Sequence, residues 1–233
     1  MIVLLPDCYL PGASARCNDA DTPKRADASL PAAGFVFSCF NRSYKFSPGT
    51  LAIWVRPLKT ADGSVLWLRE SNPAAVRNLK REAEARSVAA ERLVFAPFVT
   101  SAEDHLVRLR LADLFLDTLA FNAHSTACDA LWVGLPVITC VGTALTGRVG
   151  ASVLKAVGLP ELITHSLDEY EALALKLARD SAAWASLGAK LARNRTTHPL
   201  FDTKRFSRNL ETAFVTMWEP HQQGLPAKSF PVS

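Results

Sequence analysis

Several familiar signatures are missing from this 233-residue chain, and each absence narrows the reading. The five cysteines (Cys8, Cys17, Cys39, Cys128 and Cys140) are odd in number and widely spaced, with no C-x-x-C. That pattern argues against a disulfide framework or a zinc site and fits reduced thiols in a cytosolic protein. No stretch reaches the ~18 consecutive apolar residues of a membrane span. The opening "MIVLLPDCYLPG" lacks the basic n-region and long apolar core of a signal peptide. No block of Lys and Arg stands out, and the formal charge of +4 suits an anionic small ligand better than nucleic acid. G-x-G-x-x-G, Walker A, G-x-S-x-G and H-E-x-x-H are all absent, as is any internal repeat. The expectation is a cytoplasmic protein with no metal, no membrane and no nucleic-acid partner.

What is present is ordinary globular composition, with 49% apolar and 21% charged residues. Residues 1–33, with "GASARCNDADTPKRADASLPAAG", read as an irregular linker. Beyond them, short apolar runs alternate with amphipathic ones. The strands are expected in "GFVFSCF", "SVLWLRE", "RLVFAPF", "DLFLDT", "PVITC" and "ELITHS". The intervening helices carry start and stop signals: Ser47 and Pro48, Pro73, Ser101 with Glu103 and Asp104 near its positive end, and Gly134 as a stop. Three further helical patterns follow Leu167, and residues 220–233 read as an irregular tail. Six strand–helix alternations at this spacing predict an α/β fold, a Rossmann-like parallel sheet flanked by helices. The final helices are expected to pack back over it. The strands show no clean polar alternation, as expected of a sheet covered on both faces.

In such sheets ligands bind beyond the carboxyl ends of the strands, where helix starts offer free N–H groups. Three segments occupy such positions. "CFNRSYKFSP" carries Arg42, Tyr44 and Lys45; "FVTSAEDHLVR" carries Thr100, His105 and Arg108; "NAHSTACDALWVGLPVIT" carries His124, Ser125, Thr126 and Asp129. Backbone N–H groups, two hydroxyls and an imidazole suit a phosphate, and an acidic residue one turn further on suits vicinal ribose hydroxyls. Taken singly, Ser, Thr and Asp at helix starts are more often caps, His105 more often a surface residue and Lys45 more often solvated. Their convergence on three neighbouring strand ends points to a nucleoside diphosphate. Cys128 falls inside the helix and reads as a small buried residue rather than a nucleophile.

The segments "FNRSYKFSPGTLAIW", "LADLFLDT", "NAHSTACDALWVGLPVITC" and "PLFDTKRFSRNLETAFVTMWE", in this order, resemble the carboxyl-terminal lobe of the O-linked N-acetylglucosamine transferases, which are GT-B glycosyltransferases. The resemblance covers nearly all of residues 34–219. It implies a UDP-N-acetylglucosamine donor, transfer to Ser or Thr hydroxyls of proteins with inversion, and no metal or other cofactor. By position it implies that Lys45 neutralises the departing diphosphate and that Tyr44 belongs to the active-site loop. His124, Ser125 and Thr126 would cradle the phosphates, and Asp129 would hold the ribose. His105, Arg108 and the Thr100 backbone would line the uridine side. Arg42 stands where the family commonly has an amide residue, Ala102 where some members have a Lys, and Ser125 in place of a Thr. The family's amino-terminal lobe and tetratricopeptide helices have no counterpart before Gly34, so the chain reads as one donor lobe: a fragment, a truncated gene product, or half of a split enzyme that takes the missing lobe or repeats in trans. A non-catalytic nucleotide-binding module of the same fold, and another UDP-sugar enzyme of the GT-B type, are the alternatives.

Overall fold

The computed structural model describes residues 2–12 and 23–232. Cys17 and about a third of the segment read as linker lie outside the described residues. Six parallel strands form the central sheet: β2 (Val36–Cys39), β3 (Val65–Arg69), β4 (Leu93–Ala96), β5 (Leu114–Leu116), β6 (Val137–Cys140) and β7 (Ile163–Thr164). Their spatial order is β4-β3-β2-β5-β6-β7. Every pairing in this sheet is parallel, with Phe37 opposite Leu66 on one side and Leu114 on the other. All six lie in the runs expected from the sequence. Each is a run of apolar residues because both faces are covered. Val36, Phe37, Leu66, Leu68, Leu114, Phe115, Leu116, Val137 and Ile138 have no exposure at all.

The helices begin where their capping residues place them. In α1 (Pro48–Thr60) the Ser47 hydroxyl accepts from Thr50 N–H, and in α2 (Pro73–Glu84) the Asn72 side chain accepts from Ala75 N–H. Ser101 caps α3 (Ala102–Leu109) in the same way, with Glu103 and Asp104 in its first turn. Helix α4 (Ser125–Trp132) stops at Gly134, which takes a φ of 92° that a side chain would disfavour. After α5 (Val149–Ala156), the chain ends in α6 (Leu167–Arg179), α7 (Ser181–Thr197) and α8 (Thr203–Gln222). Helix α6 lies against α1 and β6, α7 against α6 and α4, and α8 follows the short 3-10 turn Pro199–Phe201.

Two expectations for the ends of the chain need correction. The carboxyl-terminal segment is not irregular from residue 220: α8 continues through Pro220 to Gln222. The last described residues then form β8 (Phe230–Pro231), which pairs in parallel with β1 (Val3–Leu4). The amino-terminal segment is likewise tied to the domain. Arg25 Nη2 donates to Asp113 Oδ1 and Oδ2 at 2.9 and 2.7 Å, and its Nε and Nη1 donate to Leu111 O and Gly34 O. Asp113 also accepts from Val36 N–H at 2.7 Å, so one carboxylate links this segment to the start of β2.

Arg25→Ala removes this fork and leaves the half-buried Asp113 carboxylate with fewer donors. Thermal unfolding is expected to show a loss of about 2 kcal/mol, or a melting temperature lower by about 5 °C. An unchanged melting temperature would show that the segment is only laid on the surface.

Candidate functional site

Strand order reverses between β2 and β5, since β2 leads away to β3 and β5 leads the other way to β6. The loops that leave the carboxyl ends of these two strands therefore part, and the crevice between them is the place where such folds take ligands. Residues 40–47 come from β2 and residues 117–124 from β5. The structure joins them at Asn41, whose Nδ2 donates to Thr118 Oγ1 at 2.8 Å, and at Lys45, whose Nζ donates to Asn122 O at 3.0 Å. The Lys45 ammonium also stands 4.2 Å from the centroid of the Phe121 ring. Burial lowers the Lys45 pKa, and the nearby Asp117 carboxylate opposes that shift.

His124 occupies the cap position of α4 with φ −103° and ψ −98°, and its side chain makes no cap hydrogen bond. Ser125 and Thr126 are the first two helical residues, so they are not caps either. This distinguishes α4 from α1, α2, α3 and α6, whose first turns are closed by a side chain. Ser125 is exposed, Thr126 half-buried and Asp129 partly buried one turn on. The His124 ring stacks on Phe121 at 5.0 Å and 19°, and its Nδ1 lies 3.3 Å from the Tyr9 hydroxyl. Burial and the Lys45 charge lower its pKa, so the imidazole is favoured in its neutral form. Lys45, His124, Ser125 and Thr126 thus belong to one crevice.

The remaining candidates sit on the β4 side. His105 Nδ1 and Arg108 Nη2 are 3.0 Å apart, and Arg108 Nη1 donates to Pro97 O at 2.6 Å. The guanidinium lies 4.9 Å from the Phe40 ring, and the His105 ring 5.7 Å from it. Phe40 follows β2, so these contacts join the β4 side to the crevice. Arg108 here braces the 97–101 loop. Burial first, then Arg108 and Arg69, push the His105 pKa down to about 4. Thr100 is exposed in the loop before α3, and Arg42 and Tyr44 are exposed in the loop after β2, with Tyr44 at 76%. None of these three makes a side-chain contact that ties it to Lys45.

Sequence reasoning missed Asp117, Asn122, Phe121 and Tyr9. Asp117 is wholly buried, and its carboxylate accepts from Thr118 N–H at 2.8 Å, Ala123 N–H at 2.5 Å and the Thr139 hydroxyl at 2.7 Å. Burial pushes its pKa up to about 7 against the pull of these donors and of Lys45. The Tyr170 hydroxyl donates to Asp117 O at 3.1 Å and is itself held by Trp54 Nε1. Asn122 donates to Thr118 O and accepts from Gly150 N–H. A Cβ on Gly150 would lie 2.6 Å from Asp117 Oδ2 and 2.5 Å from Thr139 Oγ1, so only glycine admits this approach. The available signal was an acid closing an apolar strand, "LFLDT", at the end where ligands gather. Tyr9 carried no such signal. Cys128 is buried and its thiol is pushed up to about 12, which leaves it inert. Among the described residues no three His, Cys, Asp or Glu side chains stand together as a metal-holding group. No helix of the described chain is long and apolar enough to cross a membrane.

Residues 17–210 match the family described as glycosyl transferase family 41. The chain belongs to that family. As a family 41 member it is 36% identical over 237 residues to the probable UDP-N-acetylglucosamine–peptide N-acetylglucosaminyltransferase SEC of Arabidopsis thaliana, covering 99% of this chain and 24% of that protein. To the Caenorhabditis elegans UDP-N-acetylglucosamine–peptide N-acetylglucosaminyltransferase it is 35% identical, over 87% of this chain and 18% of that one. An O-GlcNAc transferase mutant of Thermobaculum terrenum superposes with a TM-score of 0.79 at 29% identity, over 96% of this chain and 46% of that chain. Anabaena HepE, solved with UDP and glucose, shares the fold with a TM-score of 0.59 at 15% identity, over 84% of this chain and 53% of that chain. The family 41 chain thus spans about a quarter or less of these curated relatives' length, and its fold is that of a GT-B lobe.

The His105 imidazole is expected to titrate at about 4 in the folded chain against about 6.5 when unfolded. Between those values the unfolded chain binds the extra proton, so this group's contribution to stability grows as pH rises and is lost as pH falls. NMR titration of the ring protons checks it. A value near 6.5 would mean that His105 is solvated and that Arg108 does not face it.

Proposed function

We propose that this chain is the donor-binding lobe of a UDP-N-acetylglucosamine–protein transferase. The observation that carries the reading is the meeting of the Lys45 ammonium with the uncapped start of α4 at the point where strand order reverses. A helix start without a side-chain cap keeps donors and a positive dipole end for an anion. Ser125 and Thr126 add hydroxyls to those donors, and Asp129 offers a carboxylate that accepts from the two ribose hydroxyls. The base would lie toward the β4 side, where His105 and Arg108 shape the loop that carries Thr100. The names of the relatives support UDP-N-acetylglucosamine as donor and a protein as acceptor.

The chemistry follows from charge. In an inverting transfer the acceptor hydroxyl attacks the anomeric carbon from the face opposite the diphosphate. The bond from that carbon to the phosphate oxygen breaks, the hydroxyl proton leaves, and UDP departs with an added negative charge. Fixed donors aimed at that charge lower the barrier because they need not reorganise as it develops. Lys45 and the start of α4 would perform this task without a metal ion. Arg42 and Tyr44 stand exposed at the crevice mouth, where they would meet the sugar or the acceptor. The base that takes the hydroxyl proton would come from the other lobe of the family, supplied in trans or in a longer chain, along with any tetratricopeptide helices.

Isothermal titration of UDP and of UDP-N-acetylglucosamine is expected to saturate with the wild-type chain. Lys45→Ala and Asp129→Ala are expected to bind about tenfold or more weakly with unchanged melting temperatures, and EDTA is expected to leave affinity unchanged. Absence of saturation at millimolar UDP would overturn the donor-site reading. Saturable binding that neither substitution weakens would move the site elsewhere in the fold.

A further inference from the structure

One peptide group connects the buried acid to the half-buried cation. The N–H of Ala123 donates to Asp117 Oδ1 at 2.5 Å, and the carbonyl of the same peptide unit, Asn122 O, accepts from Lys45 Nζ at 3.0 Å. In a trans peptide the N–H and C=O point in opposite directions, so carboxylate, peptide and ammonium form a continuous array. Each hydrogen bond polarises the peptide in the direction that strengthens the other. We propose that Asp117 is the positioning residue of the donor site, fixing Lys45 through the 122–123 peptide while its other hydrogen bonds hold the 118–124 loop. This assignment rests on the donor-site reading of Lys45.

The surroundings of Asp117 agree with that role. Its carboxyl group accepts two backbone N–H bonds on Oδ1 and the Thr139 hydroxyl on Oδ2. It has no ion-pair partner in contact, and Lys45 acts on it from across the peptide. Such an isolated buried charge costs stability. Its raised pKa carries the same message: between pH 4 and 7 the folded chain holds a proton that the unfolded chain has released, so stability from this group falls as pH rises through that window. A fold selected only for stability would be better served at this position by a neutral amide, which keeps an acceptor for these donors without the buried charge. Asp117 lends its negative charge to Lys45, opposing the burial that would discharge the ammonium. The loop also depends on it, because its Oδ1 accepts from both Thr118 N–H and Ala123 N–H, while Asn122 ties Thr118 O of the loop to Gly150 N–H of α5.

The test uses Asp117→Asn, which keeps the shape and an acceptor oxygen while removing the charge. Other titratable groups face this array: Cys39 from β2, Tyr170 from α6, and His124 at the start of α4. The readout is therefore taken at Lys45 itself, by NMR of the side-chain amine in the unliganded chain, with Lys45→Arg to assign the signal. Asp117→Asn is expected to move the Lys45 titration to lower pH. UDP-N-acetylglucosamine is expected to bind about tenfold more weakly, with a melting temperature at pH 7 that is equal or higher. The donor is used rather than UDP because its diphosphate diester does not titrate in this range. Thr139→Val, which removes one donor from Oδ2 and leaves the fold's apolar volume in place, is expected to shift Lys45 in the same direction by less. A Lys45 titration that neither substitution moves would overturn the positioning role. So would unchanged donor affinity in Asp117→Asn. If the wild-type chain does not bind the donor while the Lys45 titration still moves, the coupling stands and the functional reading of the crevice fails instead.

Discussion

Parallel pairing of β2 with β5, followed by departure in opposite directions, is the constraint on which the site depends. Right-handed crossovers then send the helices after these two strands to opposite faces of the sheet. Their starting loops are left facing each other across the gap at the switch point. Everything at the site spans that gap or lines it: Asn41 to Thr118, Lys45 to Asn122, and Phe121 between Lys45 and His124. A different strand order with the same helices would put Lys45 and α4 on separate parts of the molecule.

A cation at such a gap is held against burial, and the structure meets that need from beneath. Lys45 is half-buried, and its charge is sustained by Asp117, by the Asn122 carbonyl and by the face of Phe121. The support extends further, through Thr139 in β6, Gly150 in α5, and Tyr170 in α6, which is fixed in turn by Trp54 of α1. Thr139 thus holds the Asp117 carboxylate, Tyr170 its backbone carbonyl and Gly150 the Asn122 side chain, so elements on both sides of the switch point converge on this one loop. This explains why polar groups such as Asp117, Thr118, Asn122 and Thr139 are fully buried in an otherwise apolar core. Each has a hydrogen-bond partner, so the network adds rigidity to the loop without leaving unsatisfied groups.

Within this frame the four described cysteines are packing residues. Cys8, Cys39, Cys128 and Cys140 are free and buried, and burial raises the thiols of Cys39, Cys128 and Cys140. The ends of the chain behave less simply. The short β1–β8 pairing and the Arg25–Asp113 fork bring both ends of the chain onto the domain. Tyr9, from the amino-terminal segment, reaches the imidazole of His124 in the proposed phosphate loop.

By itself the sequence determined the alternation of elements, the six strand runs and the start of nearly every helix. These depend on local chemistry: apolar runs between turn residues, and Ser, Asn or Pro at helix starts. It also named the residues of three strand-end loops, because position after a strand is a local property. Only the tertiary structure decided which of them meet. Lys45 and Asn122 are separated by 77 residues, Tyr9 and His124 by 115, and Trp54 and Tyr170 by 116. Asp117 looked like the plain end of a strand because nothing near it in sequence reveals the Thr139 hydroxyl and the Gly150 backbone that close around it. Strand order, set by long-range pairing rather than by any local preference, made that residue the support of the site.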